Sequence, residues 1–157
     1  MVMASLLLIK LPAKILKQKL NPLEKADIES AKIKELIAQM RETMVASQGV
    51  GLAANQVNEN LQIFVIDKKL ADEHSVPDVL INPEITEPSK DVDEMEEGCL
   101  SIPEYFVNIK RAKKIKIKAL DENGKKIKFK ARGFLARVLQ HETDHLNGLT
   151  IKERVKS

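Results

Sequence analysis

The chain has 157 residues, 43% of them hydrophobic, which suits one domain (residues 1–157) with an apolar core. A formal net charge of +3 is too small to argue for a nucleic-acid partner, and the single cysteine, Cys99, excludes an internal disulfide and fits a reducing compartment. No apolar run approaches the length of a membrane span, and the run 6–9 is too short for a signal-peptide core. The expected location is cytoplasmic; Lys10, Lys14, Lys17 and Lys19 keep an organellar presequence as the minor alternative.

In chain order, residues 6–9 (Leu-Leu-Leu-Ile) read as a short strand before Pro12. From about Pro22, the recurrence of Ile28, Ala31, Ile33, Leu36, Ile37, Met40 and Met44 predicts a long amphipathic helix that ends before Gly49. The stretch 49–56, Gly-Val-Gly-Leu-Ala-Ala-Asn-Gln, comes next. Its glycines let backbone approach a ligand and Gln56 offers an amide donor, although a Gly-x-Gly taken alone is weak evidence whose default reading is a plain helix-to-strand turn. Residues 61–66 and 79–81 read as short apolar strands, the second stopped at Asn82-Pro83, and the acidic stretch 89–97 reads as a loop. Ile115, Ile117 and Ala119, then Ile127, Phe129 and Ala131, alternate with lysines about a turn at 121–124, the pattern of a hairpin.

The last segment carries the chemistry. Phe134, Val138, His141 and His145 follow one another at spacings of four, three and four, and so form one row along a helix. Leu135, Leu139, Glu142 and Leu146 form the neighbouring row, and Gly148 is placed for a left-handed cap. Residues 140–145, Gln-His-Glu-Thr-Asp-His, contain a His-Glu-x-x-His motif. Two imidazoles four apart on one helix face can hold a metal ion, while Glu142 beside them handles the proton of a metal-bound water. Cys99, preceded by Glu97-Gly98, is the obvious soft third ligand, and Asp144 is a candidate acceptor for a ligand histidine's second nitrogen. The predicted fold class is α+β, a single domain with short antiparallel sheets packed around a C-terminal metal-binding helix, plus the long N-terminal helix.

Two rival classes compete with this reading, beside the plainer one of two partly buried histidines satisfied locally. A zinc peptidase would take its third ligand from further along, but Glu153 is the sole acidic residue after His145. An RNA-binding module would use Lys114, Lys116, Lys118, Lys126, Lys128 and Lys130, yet no aromatic residues interleave for base stacking, and a solvated ribbon face explains the lysines more simply.

Residues 49–56, residues 97–101 (Glu-Gly-Cys-Leu-Ser) and residues 140–148 (Gln-His-Glu-Thr-Asp-His-Leu-Asn-Gly) together resemble the three signature motifs of peptide deformylase, in that family's order. The resemblance covers nearly the whole chain. It is weaker at the N-terminus, where Pro12-Ala13 and Leu16-Lys17 stand in place of the family's frequent Pro-Asp and Leu-Arg, and the loop with Tyr105-Phe106 falls where members vary. The resemblance implies that Cys99, His141 and His145 bind one divalent metal, usually Fe2+, with Zn2+, Ni2+ or Co2+ as substitutes in purified protein. Thiolate and imidazole suit zinc as well as iron, so the choice of iron rests on the resemblance alone. It further implies that Glu142 is general base and then proton donor, that Gln56 and the Leu100 backbone N–H stabilise an oxyanion, and that Gly51 contacts substrate through its backbone. The implied reaction removes the formyl group from the N-terminal formylmethionine of newly made proteins and releases formate, with a metal-bound water as nucleophile. Val50, Val138 and Phe134 are candidates for the wall of a methionine pocket, although all three suit an ordinary core. The implied partners are N-formylmethionyl nascent polypeptides; the lysine face of the hairpin, better explained as a solvated face, is also a candidate for a transient ribosome contact, and neither a membrane nor a specific nucleic acid is expected.

Overall fold

The computed structural model describes residues 5–155, so the ends of the expected domain, 1–4 and 156–157, lie outside the described residues. The first helical segment divides. Glu24 and Asp27 form a capping box that opens the short α1 (Lys25–Ile28), and the Glu24 backbone N–H donates to Asp27 Oδ2 at 3.1 Å. Ser30 then starts α2 (Ala31–Ala46): its hydroxyl accepts from the Ile33 N–H at 3.3 Å and donates to the Asp27 carbonyl at 2.6 Å. The long helix expected from Pro22 is therefore two helices, because the Ser30 side chain satisfies backbone groups that an unbroken helix would pair internally. Helix α2 keeps the predicted apolar face, with Ile33, Leu36, Ile37, Met40 and Met44 buried. Residues 6–9 form no strand; the segment is held by bonds from the Leu6 N–H to Thr43 Oγ1 (2.8 Å) and from the Ile9 N–H to the Gln56 carbonyl (2.7 Å).

Next come β1 (Gly51–Ala53), β2 (Ile63–Ile66), α3 (Lys68–Glu73), β3 (Val79–Thr86), β4 (Val92–Cys99), β5 (Ile102–Ala112), β6 (Lys114–Leu120), β7 (Lys126–Arg132), α4 (Gly133–Leu146) and α5 (Ile151–Val155). An antiparallel sheet runs in the order β1-β2-β3-β6-β7, and β4 pairs with β5 in a separate ribbon. The β6–β7 hairpin shows the alternation that the lysines predict, with Ile115, Ile117, Ala119 and Ala131 buried. Strand β2 is buried along its whole length and packs against both α2 and α4. Each such fully buried aliphatic side chain contributes roughly 1.5–3 kcal/mol.

Three further expectations are corrected. The strand that begins at Val79 does not stop at Asn82-Pro83; it continues to Thr86 through a register shift between Ile81 and Glu84. Asn82 adopts φ 51° there, and its side chain exchanges two 2.9 Å bonds with the Leu23 backbone, so the irregularity is stapled and Pro83 sits where a ladder N–H is dispensable. The acidic stretch 89–97 is largely β4, and Tyr105-Phe106 lie in β5 rather than in a loop. Only one residue of β4 and three of β5 are buried, so these strands carry little of the apolar alternation that marks a strand in sequence. Helix α4 packs against every strand of the five-stranded sheet and against β5. It ends as predicted: Gly148 takes φ 79°, and a Cβ there would lie 2.8 Å from the Lys17 and Gln18 backbone. No helix among the described residues is long and apolar enough to cross a membrane.

Candidate metal centre

One turn of α4 separates His141 from His145, whose ring centroids stand 5.0 Å apart. Cys99 arrives from the end of β4, where the β4–β5 register shifts between Gly98 and Cys99 and re-aims the thiol. Its Sγ lies 3.3 Å from His145 Nε2, and one ligand atom from each of Cys99, His141 and His145 falls within 4.8 Å of the others. The 3.3 Å separation matches an edge of a coordination tetrahedron built on bonds of about 2.0–2.3 Å. Glu153, the alternative third ligand, instead accepts from Thr150 Oγ1 at 2.6 Å on α5.

The charges around the three residues fit a cation. His141 Nδ1 is bonded to Glu97 Oε1 at 2.8 Å, which turns Nε2 toward the cluster. Burial alone would lower the His141 pKa, but hydrogen bonds with Cys99 and Glu97 and the charge of Glu142 raise it to about 10. The surrounding anions thus demand a positive charge at this point, and a proton on Nε2 and a metal cation are alternative ways to supply it. His145 is pushed well below the ordinary histidine range, first by burial and then by the charge on His141, so it is held as the neutral imidazole that ligates metals.

Glu97 is the residue that the sequence reading passed over. Its buried carboxylate also accepts from Arg111 Nε (2.7 Å), from Arg111 Nη2 (2.9 Å) and from Arg137 Nη1. Burial would raise its pKa, yet the bonds from His141 and Arg111 win and hold it at about 2. Asp144 does not support a histidine as expected; it accepts from Arg111 Nη1 (2.8 Å) and from Arg154 Nε and Nη2 (2.8 and 2.6 Å). The histidine's carboxylate partner comes instead from β4, because Asp144 faces the side of α4 where Arg111 and Arg154 converge. The one local sign of this network is an arginine, Arg137, within a helix that is buried on most of its surface.

Glu142 lies beside the cluster, its Oε2 4.0 Å from His141 Nε2 and its Oε1 buried without a hydrogen-bond partner. Burial pushes its pKa up to about 7 against the opposing charges of His141 and Arg111, so the group can hold or give up a proton near neutrality. Gly51 makes room for it: a Cβ at that position would lie 2.6 Å from Glu142 Oε2. Gln56, on the 3-10 turn Ala54–Val57, is locked by the Ala53 N–H on its Oε1 (2.9 Å) and by Ser101 Oγ, to which Nε2 donates at 3.0 Å. That leaves Nε2 3.7 Å from Cys99 Sγ. Asn55 on the same turn donates to the His145 carbonyl at 2.8 Å and ties the turn to α4.

These groups face a cavity of about 180 Å³, whose walls include Val50, Gly51, Gln56, Leu100, Phe134 and Val138. Of the residues singled out from the sequence, Cys99, His141, His145, Glu142, Gln56, Leu100, Gly51, Val50, Val138 and Phe134 line this cavity or the adjoining cluster, whereas Asp144 does not. Val138 is buried, whereas Val50 and Phe134 are each 47% exposed and form the open, apolar rim. The arrangement can bind an apolar side chain next to a cation site that has a buried proton acceptor within reach.

Residues 6–157 match the family model described as Polypeptide deformylase. The peptide deformylase of Dictyoglomus thermophilum is 50% identical over 141 residues, 89% of this chain and 86% of that protein. The crystal structure of peptide deformylase from Thermotoga maritima is 38% identical, with a TM-score of 0.87 and coverage of 97% of this chain and 98% of that one. A Met-Ala-Ser-bound class I type b peptide deformylase from Acinetobacter baumannii also reaches a TM-score of 0.87, at 34% identity over 96% of this chain and 98% of that one. Sequence and backbone agree over almost the full length, and the cluster lies where the matching motifs converge, so the chain belongs to the polypeptide deformylase family of metal-dependent hydrolases, which act on N-formylated nascent peptides.

Proposed function

We propose that this chain removes the formyl group from the N-terminal formylmethionine of newly made proteins in the cytoplasm, releasing formate, with residues 1–157 as one catalytic domain. The observation that supports this most is Glu142, a buried carboxyl with an unpartnered oxygen, beside Cys99, His141 and His145 in an apolar-rimmed cavity. The Met-Ala-Ser peptide held by the Acinetobacter baumannii relative begins with the methionine that deformylation would leave.

Cys99, His141 and His145 would hold one divalent ion, which supplies Lewis acidity and lowers the pKa of a water toward about 7. Glu142 takes the proton from the attacking water as its oxygen adds to the formyl carbon. The developing oxyanion accepts hydrogen bonds from Gln56 Nε2 and from the Leu100 backbone N–H. When the C–N bond breaks, Glu142 returns the proton to the departing amine, and formate leaves. Gly51 meets the peptide through its backbone, while Val50, Phe134 and Val138 take the methionine side chain.

Formate release from a formyl-Met tripeptide, by protein purified without oxygen and loaded with ferrous iron, tests this reading. Turnover is expected, and its absence despite one bound metal per chain would overturn the substrate assignment. Iron is the proposed native metal, so activity should decay in air as the iron and then Cys99 oxidise. Equal persistence with and without oxygen would point to zinc. Gly51→Ala should cost about 10²-fold in kcat, because the new methyl displaces the Glu142 carboxylate by an appreciable fraction of an ångström. A kcat within twofold of wild type would show that Glu142 works from another position. Lys116 and Lys118 are engaged by Glu87 (2.6 Å) and Glu84 (3.3 Å), so the proposed ribosome contact would fall to Lys114, Lys126, Lys128 and Lys130. Co-sedimentation with ribosomes should then weaken steeply with salt, and no co-sedimentation at low salt removes the contact.

A further inference from the structure

A second cavity, of about 710 Å³, adjoins a different face of α4 and shares no lining residue with the metal cavity. That volume is in the range of small-molecule sites. Its walls carry an excess of cationic groups. Among the described residues, Lys19 and Lys110 enter no side-chain ion pair or hydrogen bond, and Arg154 uses only Nε and Nη2, both on Asp144. Of the acidic wall residues, Glu84 is paired with Lys118 at 3.3 Å, and Asp144 is shared between Arg111 and Arg154. Thr143, 7% exposed, adds a buried hydroxyl that has no hydrogen-bond partner. An unsatisfied buried hydroxyl costs stability, so one that is retained on a cavity wall points to a ligand or an ordered solvent partner.

The same wall is wired to the metal centre. Asp144 takes Arg111 Nη1 at 2.8 Å, Arg111 places Nε and Nη2 on Glu97, and Glu97 holds His141 Nδ1 at 2.8 Å. An anion in the groove would compete with Asp144 for Arg154, change the charge that Asp144 presents to Arg111, and so alter the setting of the His141 ring. We propose that the groove is a second ligand site, for a small carboxylate- or phosphate-bearing molecule, and that its occupancy is transmitted through Asp144, Arg111 and Glu97 to His141.

The test uses the zinc-loaded, 15N-labelled holoenzyme, titrated at constant ionic strength with inorganic phosphate and, separately, with succinate. Backbone signals of Lys19, Lys110, Thr143 and Arg154 should shift along one saturable isotherm, with the His141 side-chain signals following it. Whichever anion gives the tighter isotherm identifies the class of headgroup. The double variant Lys19→Gln/Lys110→Gln, which removes two exposed charges and leaves the metal centre intact, should weaken binding about fivefold or more. Its unliganded spectrum reports whether it is folded. By linkage, anion affinity should differ between the metal-free and zinc-loaded proteins by the same factor as zinc affinity differs with and without anion. Shifts that never saturate would mean an adventitious ion only. That result, saturable shifts unchanged in the double variant, or saturation that leaves His141 unmoved would each overturn the proposal. None of these readouts needs turnover, so their failure is separate from any failure of the deformylase reading.

Discussion

Replacing Glu142 with Gln is expected to lower kcat for formate release by about 10³-fold or more, while metal content and fold are kept. The amide fills the same space, opposite Gly51, where a Cβ would approach Glu142 Oε2 to 2.6 Å, but it cannot accept the water's proton. Burial pushes the native carboxyl up to a pKa of about 7, so it can both receive and release that proton at neutral pH, whereas Glu97, the other carboxylate beside the cluster, is held at about 2 by His141 and Arg111. Glu142→Asp should be crippled as well, because the carboxylate is drawn back by one methylene. Metal analysis beside the kinetics separates loss of chemistry from loss of the ion. Wild-type turnover in either variant would remove Glu142 from the mechanism.

Glu97→Ala should be the most damaging change away from the reacting groups. It would leave Arg111 and Arg137, each 5% exposed, without the carboxylate that binds both. Breaking a buried ion pair from one side costs about 3–5 kcal/mol. The lower part of that range is expected, since Arg111 keeps Asp144 and Arg137 keeps Asp93 and the Ile109 carbonyl. His141 would also lose its Nδ1 partner, and metal affinity should fall about 10–100-fold. Urea unfolding measures the first effect and chelator competition the second. A change in stability under about 1 kcal/mol would mean that the arginines find other partners. Unchanged metal affinity would mean that the His141 ring is held by packing alone.

Much of helix α4 was legible because its information is local. The four-three-four spacing of Phe134, Val138, His141 and His145 and the cap at Gly148 depend only on residues within a few turns. The lysine-alternating hairpin follows for the same reason, since period two and a turn suffice to specify it. The β4–β5 ribbon was hidden because it buries few of its side chains and leaves only a faint apolar pattern. The division of the N-terminal helical stretch was missed because apolar periodicity runs on through Ser30, whereas the break is made by a side-chain hydrogen bond.

The fold class, the family and the residue types of the candidate metal centre were all readable from spacing along the chain. Tertiary structure alone decided which groups meet. Cys99 reaches His145 across 46 positions, Glu97 reaches His141 across 44, and Gly51 accommodates Glu142 by lacking a side chain. It also set Asp144 against Arg111 and Arg154 instead of a histidine. Such pairings depend on how separate elements pack, and the choice of carboxylate partner follows from which buried charges most need neutralising, a balance that no local pattern records.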